Sequence, residues 1–167
     1  MNNLLTGPEL TSKLIDQISE LYCQIWREPP WNEDFWKPIE VRATIEQVLD
    51  QPSSVMNVKL CGSDVAGFTW GYRTSRNPVL DHLKLSGQSI FYLAELGVNK
   101  NYRRQGIGQE LSRYLIKQAQ AQGESKIVLR TDLQAQSARR LYQSLGFQEL
   151  SFFDPQHANR TYWLLRL

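Results

Sequence analysis

Cysteine is scarce in this 167-residue chain: Cys23 and Cys61 are distant from each other, and neither has a second Cys or a His at metal-ligand spacing. That excludes a disulfide-built scaffold and supplies no zinc site, so both thiols read as buried groups in a reducing compartment. An excess of one charge is also missing. Against 17 Asp and Glu stand 19 Lys and Arg, a formal net charge of +2. The broad basic surface of a nucleic-acid or anionic-membrane binder is thereby excluded. Long apolar runs are absent: no segment approaches the roughly 18 residues of a membrane span. The opening MNNLLTGPELTSK has no basic stretch leading into an apolar one. The expected location is the cytoplasm, with neither nucleic acid nor membrane as a partner. Repeats and low-complexity tracts are lacking as well, and 41% apolar residues over this length fit one globular domain, 1–167.

What is present is a clear alternation of periods. Thr6-Gly7-Pro8-Glu9 has the T-x-x-E spacing of a capping box, with Leu5 and Leu10 placed as a hydrophobic staple, and predicts a helix beginning there. Leu10, Leu14, Ile18, Leu21, Tyr22 and Ile25 recur three or four apart until Pro29-Pro30 stops the pattern. A second helix is predicted from Pro38 through Val41, Ile45, Val48 and Leu49 to Gln51-Pro52. Residues 1–53 form this helical region and 54–167 the remaining core, with room for a short strand at Asn3-Leu4-Leu5. Strands are predicted at 54–61 and 65–73 around a Gly62-Ser63-Asp64 turn, and at 89–99, where a nearly continuous apolar run suits a doubly covered strand. Residues 73–88 read as a long loop. A helix from Gly106 to Gly123, a buried strand at 126–131, a helix at 135–145 stopped by Gly146, and strands at 147–153 and 160–167 complete the order. The fold class is α/β, a mixed sheet with helices on both faces.

Chemistry concentrates where the 89–99 strand meets the next helix. Leu96-Gly97-Val98 is followed by Arg103, Arg104, Gln105, Gly106, Ile107 and Gly108, a basic and then glycine-rich turn opening a helix. The first N–H groups of a helix lack internal partners and, with the helix dipole, favour an anion; two glycines allow close approach and two arginines add charge. A dinucleotide fingerprint would need glycine where Leu111 stands, and a P-loop would need Gly-Lys-Ser/Thr, which is absent. Taken alone, the residues also fit an ordinary turn with glycines for tight packing.

They are not alone. Val98 followed by Arg103-x-x-Gly106-x-Gly108 resembles the R/Q-x-x-G-x-G/A acyl-CoA signature of the GNAT N-acetyltransferase superfamily. Downstream, Ala138-x-x-Leu141-Tyr142-x-x-x-Gly146-Phe147 resembles that family's A-x-x-L-Y-x-x-x-G-F segment at about its usual distance. The resemblance runs from about Val55 to the C-terminus. It implies a GNAT-like fold: a central, mostly antiparallel sheet with a splay after the fourth strand. One departure is Ala135, where family members often carry Asn; Gln134, Gln136 or Ser137 stand nearby as replacements.

The resemblance further implies acetyl-CoA as cosubstrate and no metal. Backbone N–H groups from Gln105 to Gly108, beside Arg103 and Arg104, would hold its pyrophosphate, with Ser137 and Tyr142 also at the cofactor. The pantetheine arm would pair with the edge at Leu96, Gly97 and Val98, where glycine leaves room. The Val98 N–H would stabilise the oxyanion formed when an amine attacks the thioester. Tyr142 matches the family's general acid, and a reference pKa of about 10 keeps it a donor at neutral pH; a core tyrosine beside Ala138, Leu141 and Leu145 is the competing reading.

An aliphatic amine must lose a proton before attack, which costs roughly 4 kcal/mol at neutral pH. Glu95, a carboxylate on an apolar strand, is either the base, directly or through water, or the partner of an arginine such as Arg130; the sequence leaves both open. The segment holding Trp26, Glu28, Trp31, Glu33, Asp34 and Trp36 is dense in aromatics and acids, and either borders an acceptor cleft for a cationic amine or packs as a proline-rich corner. Residues 73–88 are the candidate opposite wall. His82 and His157 receive no role.

The expected function is therefore acetyl transfer from acetyl-CoA to a primary amine in a ternary complex. The acceptor is either a small molecule or a protein N-terminus or lysine. A non-catalytic acyl-CoA-binding module is the rival from another class. A homodimer built on the two late strands is a further expectation by analogy.

Overall fold

A computed structural model describes residues 2–167. The first strand, β1 (Asn2–Thr6), runs into a single 3-10 turn, Gly7–Glu9. The capping box is real, with the Thr6 N–H and hydroxyl both donating to Glu9 Oε2 at 2.8 Å, but it closes only that turn. Leu10 is extended (φ −79°, ψ 119°), so helix α1 (Ser12–Trp26) starts afresh from Thr11, whose hydroxyl oxygen accepts the Leu14 N–H at 3.3 Å. The expected start was thus five residues early, because a proline-containing turn intervenes. Helix α2 (Pro38–Leu49) has the predicted proline in its first turn, where a missing N–H removes no hydrogen bond.

The remaining elements are β2 (Val55–Cys61), β3 (Asp64–Thr74), the short α3 (Val79–His82), β4 (Ile90–Val98), α4 (Ile107–Ala121), β5 (Lys126–Asp132), α5 (Gln136–Ser144), β6 (Gln148–Phe153) and β7 (Arg160–Arg166). They form one sheet in the order β1-β2-β3-β4-β5-β7-β6. All neighbours are antiparallel except β4 and β5. Cys23 is buried as expected, whereas Cys61, at the end of β2, is only half-buried.

Two apolar layers hold the sheet. On one face, Ile15, Ile18 and Ile25 of α1 and Val41 and Ile45 of α2 pack on Met56, Val58, Phe68 and Trp70. On the other, Leu115 and Ala119 of α4 and Tyr142 of α5 pack on Phe91, Leu93, Ile127 and Leu129. Segment 73–88 sends Val79 and Leu80 into a third cluster with Ile90, Val128 and Tyr162.

Strand β4 is irregular in two ways. Its pairing with β5 comprises only Phe91 with Ile127 and Tyr92 with Val128, so the strands diverge beyond Tyr92. Against β3, Trp70 is opposite Glu95 while Gly71 is opposite Leu93, which leaves Ala94 as an extra residue in a bulge. Strict alternation would send Ala94 and Glu95 to opposite faces; the bulge brings both to the α1 side.

Candidate active site

The divergence of β4 from β5 leaves a backbone edge open. The Asn99 N–H donates to the Ala66 carbonyl on β3 at 3.0 Å. Amides of an antiparallel ladder alternate between its two edges, so the Val98 N–H points the other way, to the side that β5 has left. The Val98 carbonyl on that same side accepts from Arg103 Nε at 3.0 Å.

The turn after β4 carries two left-handed residues into the start of α4. Arg104 (φ 64°) and Gly106 (φ 80°) both adopt the left-handed conformation, which is unfavourable for arginine and marks a turn held by its surroundings. Gly106 is the N-cap of α4 and has no side chain to satisfy the first N–H groups of that helix. Gly108 permits close packing: a Cβ there would lie 3.3 Å from Leu141 Cδ2 and 3.6 Å from Val98 Cγ2. The two signature segments therefore touch in space. Arg103 extends across to Glu28, with Nη1 to Oε2 at 2.6 Å, a partner that local sequence does not reveal because it lies 75 residues away.

A cavity of about 350 Å³ beside this pair is lined by Glu28, Arg103, Gln134, Ala135, Gln136 and Ser137 among others. Ala135 is the N-cap of α5 and makes no side-chain cap bond. All three possible replacements for asparagine line this cavity, and of them Gln136 turns its amide back to the Leu133 carbonyl. The space left by Gly97 lies elsewhere than expected. A Cβ there would meet Phe68 Cζ at 2.6 Å and Ile25 Cδ1 at 2.9 Å, so this glycine makes room for the α1-side core.

On the α1 side of the opening, a second cavity of about 290 Å³ is walled by Tyr22, Trp26, Trp36, Trp70, Tyr72 and Tyr92, and carries Glu33, Glu95, Arg130 and Arg160. The bulge delivers Glu95 to it. Desolvation pushes Glu95 up to about 8, against the smaller opposing effects of the Tyr22 hydrogen bond and of Arg130. Tyr22 Oη donates to Glu95 Oε1 at 3.4 Å. Arg130 does not pair with Glu95; its Nη1 donates to Asp154 Oδ2 at 2.7 Å. Tyr142 is buried among Phe91, Leu93 and Leu129, and burial followed by the charges of Glu95 and Tyr92 raises its pKa, so it stays protonated.

The segment between α1 and α2 divides between core packing and the lining of this cavity. Trp26 stacks on Tyr22 with ring centroids 4.2 Å apart, while Trp36 and Glu33 face the cavity, tied together by Trp36 Nε1 to Glu33 Oε2 at 2.7 Å. Segment 73–88, by contrast, contributes no residue to the lining, because its apolar side chains are committed to the third core cluster. Tyr72 and Tyr92 were missed as site residues. Their signal was the alternation of Trp70 with Tyr72, and of Tyr92 with Ala94, on two adjacent strands. No group of three potential metal ligands occurs among the described residues, and none of the described helices is long and apolar enough to cross a membrane.

The fold recurs in solved structures of low identity. PaiA N-acetyltransferase of Thermoplasma acidophilum, in complex with coenzyme A, matches with a TM-score of 0.75 at 12% identity, over 100% of this chain and 99% of that one. Arabidopsis thaliana NAA60, in complex with acetyl-CoA, matches with a TM-score of 0.74 at 13% identity, over 100% and 99%. By sequence, human N-acetyltransferase 8 is 43% identical over 146 residues, 84% of this chain and 61% of that protein. The chain spans between 27% and 61% of the length of the curated relatives it matches. The family model described as the Acetyltransferase (GNAT) family matches residues 15–147, a span that holds the open strand edge, the glycine-rich turn and Tyr142 together, and the chain belongs to that family.

Proposed function

We propose that the protein transfers an acetyl group from acetyl-CoA to a primary amine by direct attack in a ternary complex. The carrying observation is the opening beyond Tyr92: the outward Val98 N–H has the anion turn and the start of α5 on one side and the Glu95 cavity on the other. The N–H groups from Gln105 to Gly108 and the Arg103 and Arg104 guanidiniums fit a pyrophosphate. Leu96 and Val98 offer hydrogen bonds to an amide-bearing arm, and Gln134 or Ser137 takes the place of the family asparagine.

In this reading the amine nitrogen bonds to the thioester carbon, the Val98 N–H stabilises the oxygen that gains charge, and the C–S bond then breaks. The amine proton goes to Glu95, directly or through one water. The departing thiolate takes the Tyr142 hydroxyl proton. A cavity of about 290 Å³, walled by aromatic side chains, favours a small acceptor over a folded protein surface. Action in a reducing, cytoplasmic compartment belongs to the same reading and rests on the two free thiols. So does a homodimer through the edge strand β6, which light scattering in solution would test.

The experiment is a thermal shift with acetyl-CoA, CoA and NADH in parallel, followed by thiol release with an amine panel. Stabilisation by acetyl-CoA and CoA alone, with amine-dependent release, is the expected result. Stabilisation without release from any amine would leave a binding module, and no stabilisation would reduce the turn to a packing device.

A further inference from the structure

The cavity that holds Glu95 also holds two arginines, and their partners are not equivalent. Arg160 donates to Glu33 and lies over the Trp31 ring, 5.9 Å from its centroid. Glu33 lines the same cavity, so these two charges neutralise each other within it. Arg130 is held from behind. Its Nη1 donates to Asp154, which is 3% exposed at the side chain and absent from the cavity lining. Asp154 also accepts the Tyr162 hydroxyl at 2.8 Å and the N–H groups of Gln156 and His157, each at 2.9 Å. Burial alone would push Asp154 up, yet these donors hold it down at about 2.

The rest of the Arg130 fork is free. Among the described residues its other nitrogens make no hydrogen bond, and none of them is among the buried polar atoms left without a partner, so they remain accessible. The Arg130 side chain is 25% exposed, and it lines the cavity. Its neighbours on β5, Ile127, Val128 and Leu129, are buried aliphatics. A charge with this degree of burial is usually no gain in stability over an apolar pair of the same shape, which points to a use other than holding the sheet together.

The location of Arg130 fits such a use. It stands two residues past Val128, and Glu95 three past Tyr92, where β4 and β5 last pair. The two side chains therefore flank the same opening from opposite strands. We infer that the acceptor carries a carboxylate beside its amine, the carboxylate on the free edge of Arg130 and the amine at Glu95, as in an α-amino acid with an apolar side chain. This rests on the acyl-transfer reading and narrows it. A planar guanidinium edge matches a carboxylate in two parallel hydrogen bonds. The aromatic walls take the apolar side chain. A diamine would set its second cation against Arg130, and a peptide N-terminus would offer a neutral amide in place of the carboxylate.

The test uses the full chain and acetyl-CoA, with alanine, leucine and phenylalanine, their carboxamides and their decarboxylated amines. Thiol release should give kcat/KM values for the acids about tenfold to a hundredfold above both matched partners, the range expected for a charged hydrogen bond. Arg130→Lys keeps a positive charge for Asp154 but loses the fork, and should collapse that ratio. The ratio is independent of how much variant protein is active. Equal rates for acid, amide and amine in the wild type would overturn the inference. So would an Arg130→Lys enzyme that loses rate on all three alike, because that is what a purely structural pair predicts. Stabilisation by acetyl-CoA without release from any member of the panel overturns the carboxylate subsite but leaves the cofactor reading; no stabilisation at all overturns both.

Discussion

Tyr22 on α1 donates its hydroxyl to Glu95 on β4 from 73 residues away in the chain. The contact opposes the burial that pushes the carboxyl up to about 8. Removing the hydroxyl with Tyr22→Phe should raise Glu95 further and move the rising limb of the pH–rate profile to higher pH. With Glu95 as base, wild-type kcat/KM should climb roughly tenfold per pH unit and level off near pH 8. Glu95→Gln should remove that limb and lower the plateau about a hundredfold. An unchanged profile in Glu95→Gln takes the residue out of the mechanism.

The same carboxyl makes stability depend on pH. Its folded-state pKa lies above the ordinary value of 4.5, so between pH 4.5 and about 8 the native state holds a proton that the unfolded chain releases. The contribution of Glu95 is fully present below 4.5 and is lost as the pH rises towards 8. Denaturant unfolding of the wild type from pH 5 to 8 should show this decline, and Glu95→Gln should flatten it. A parallel decline in both proteins would assign the effect to other groups.

Tyr142→Phe keeps the ring that packs at 5.9 Å from Phe147 in an edge-on arrangement and deletes only the proton donor. Turnover should drop about a hundredfold, with the acetyl-CoA thermal shift within a degree of wild type. Full turnover would make Tyr142 a core tyrosine.

Asp154→Asn removes the charge that holds Arg130. Breaking a buried pair from one side leaves the other charge uncompensated, and the loss should be about 3 kcal/mol in urea unfolding. A change below 1 kcal/mol would mean that water compensates Arg130 through the cavity.

Gly97→Ala inserts a methyl group that meets Phe68, itself fully buried, at 2.6 Å. Overpacking of this kind should cost about 1–3 kcal/mol, measured by thermal unfolding without ligand. Wild-type stability would show that Phe68 can yield.

Most of the architecture was readable from local pattern. Pro38 marked the start of α2, Gly123 and Gly146 the ends of two helices, and the apolar run at β4 its central place. The glycine-rich turn into α4 was readable because its residues are contiguous. The Glu95 cavity was not, because it is assembled by register. Nothing in the residues around Ala94 announces the bulge that sends Glu95 to the α1 face; with strict alternation the two would separate. Tyr22 belonged to an apolar helical stripe, and only the packing of α1 on β3 and β4 shows that its hydroxyl reaches a carboxylate. Arg130 and Asp154, like Arg103 and Glu28, are pairs made by the tertiary fold. The helix expected at Thr6 begins at Thr11 because a correct capping signal closed a shorter turn.

Beyond Tyr92 the sheet is short of one ribbon. A sheet interrupted at its centre behaves as two half-sheets joined at a seam, and the amides of Leu96 and Val98 should exchange with deuterium as readily as those of a frayed end. A ligand laid along that seam would supply the missing rungs and weld the halves. Bound ligand is then a piece of the architecture, and the survival of this protein against heat or proteolysis should follow how well the cell is stocked with it.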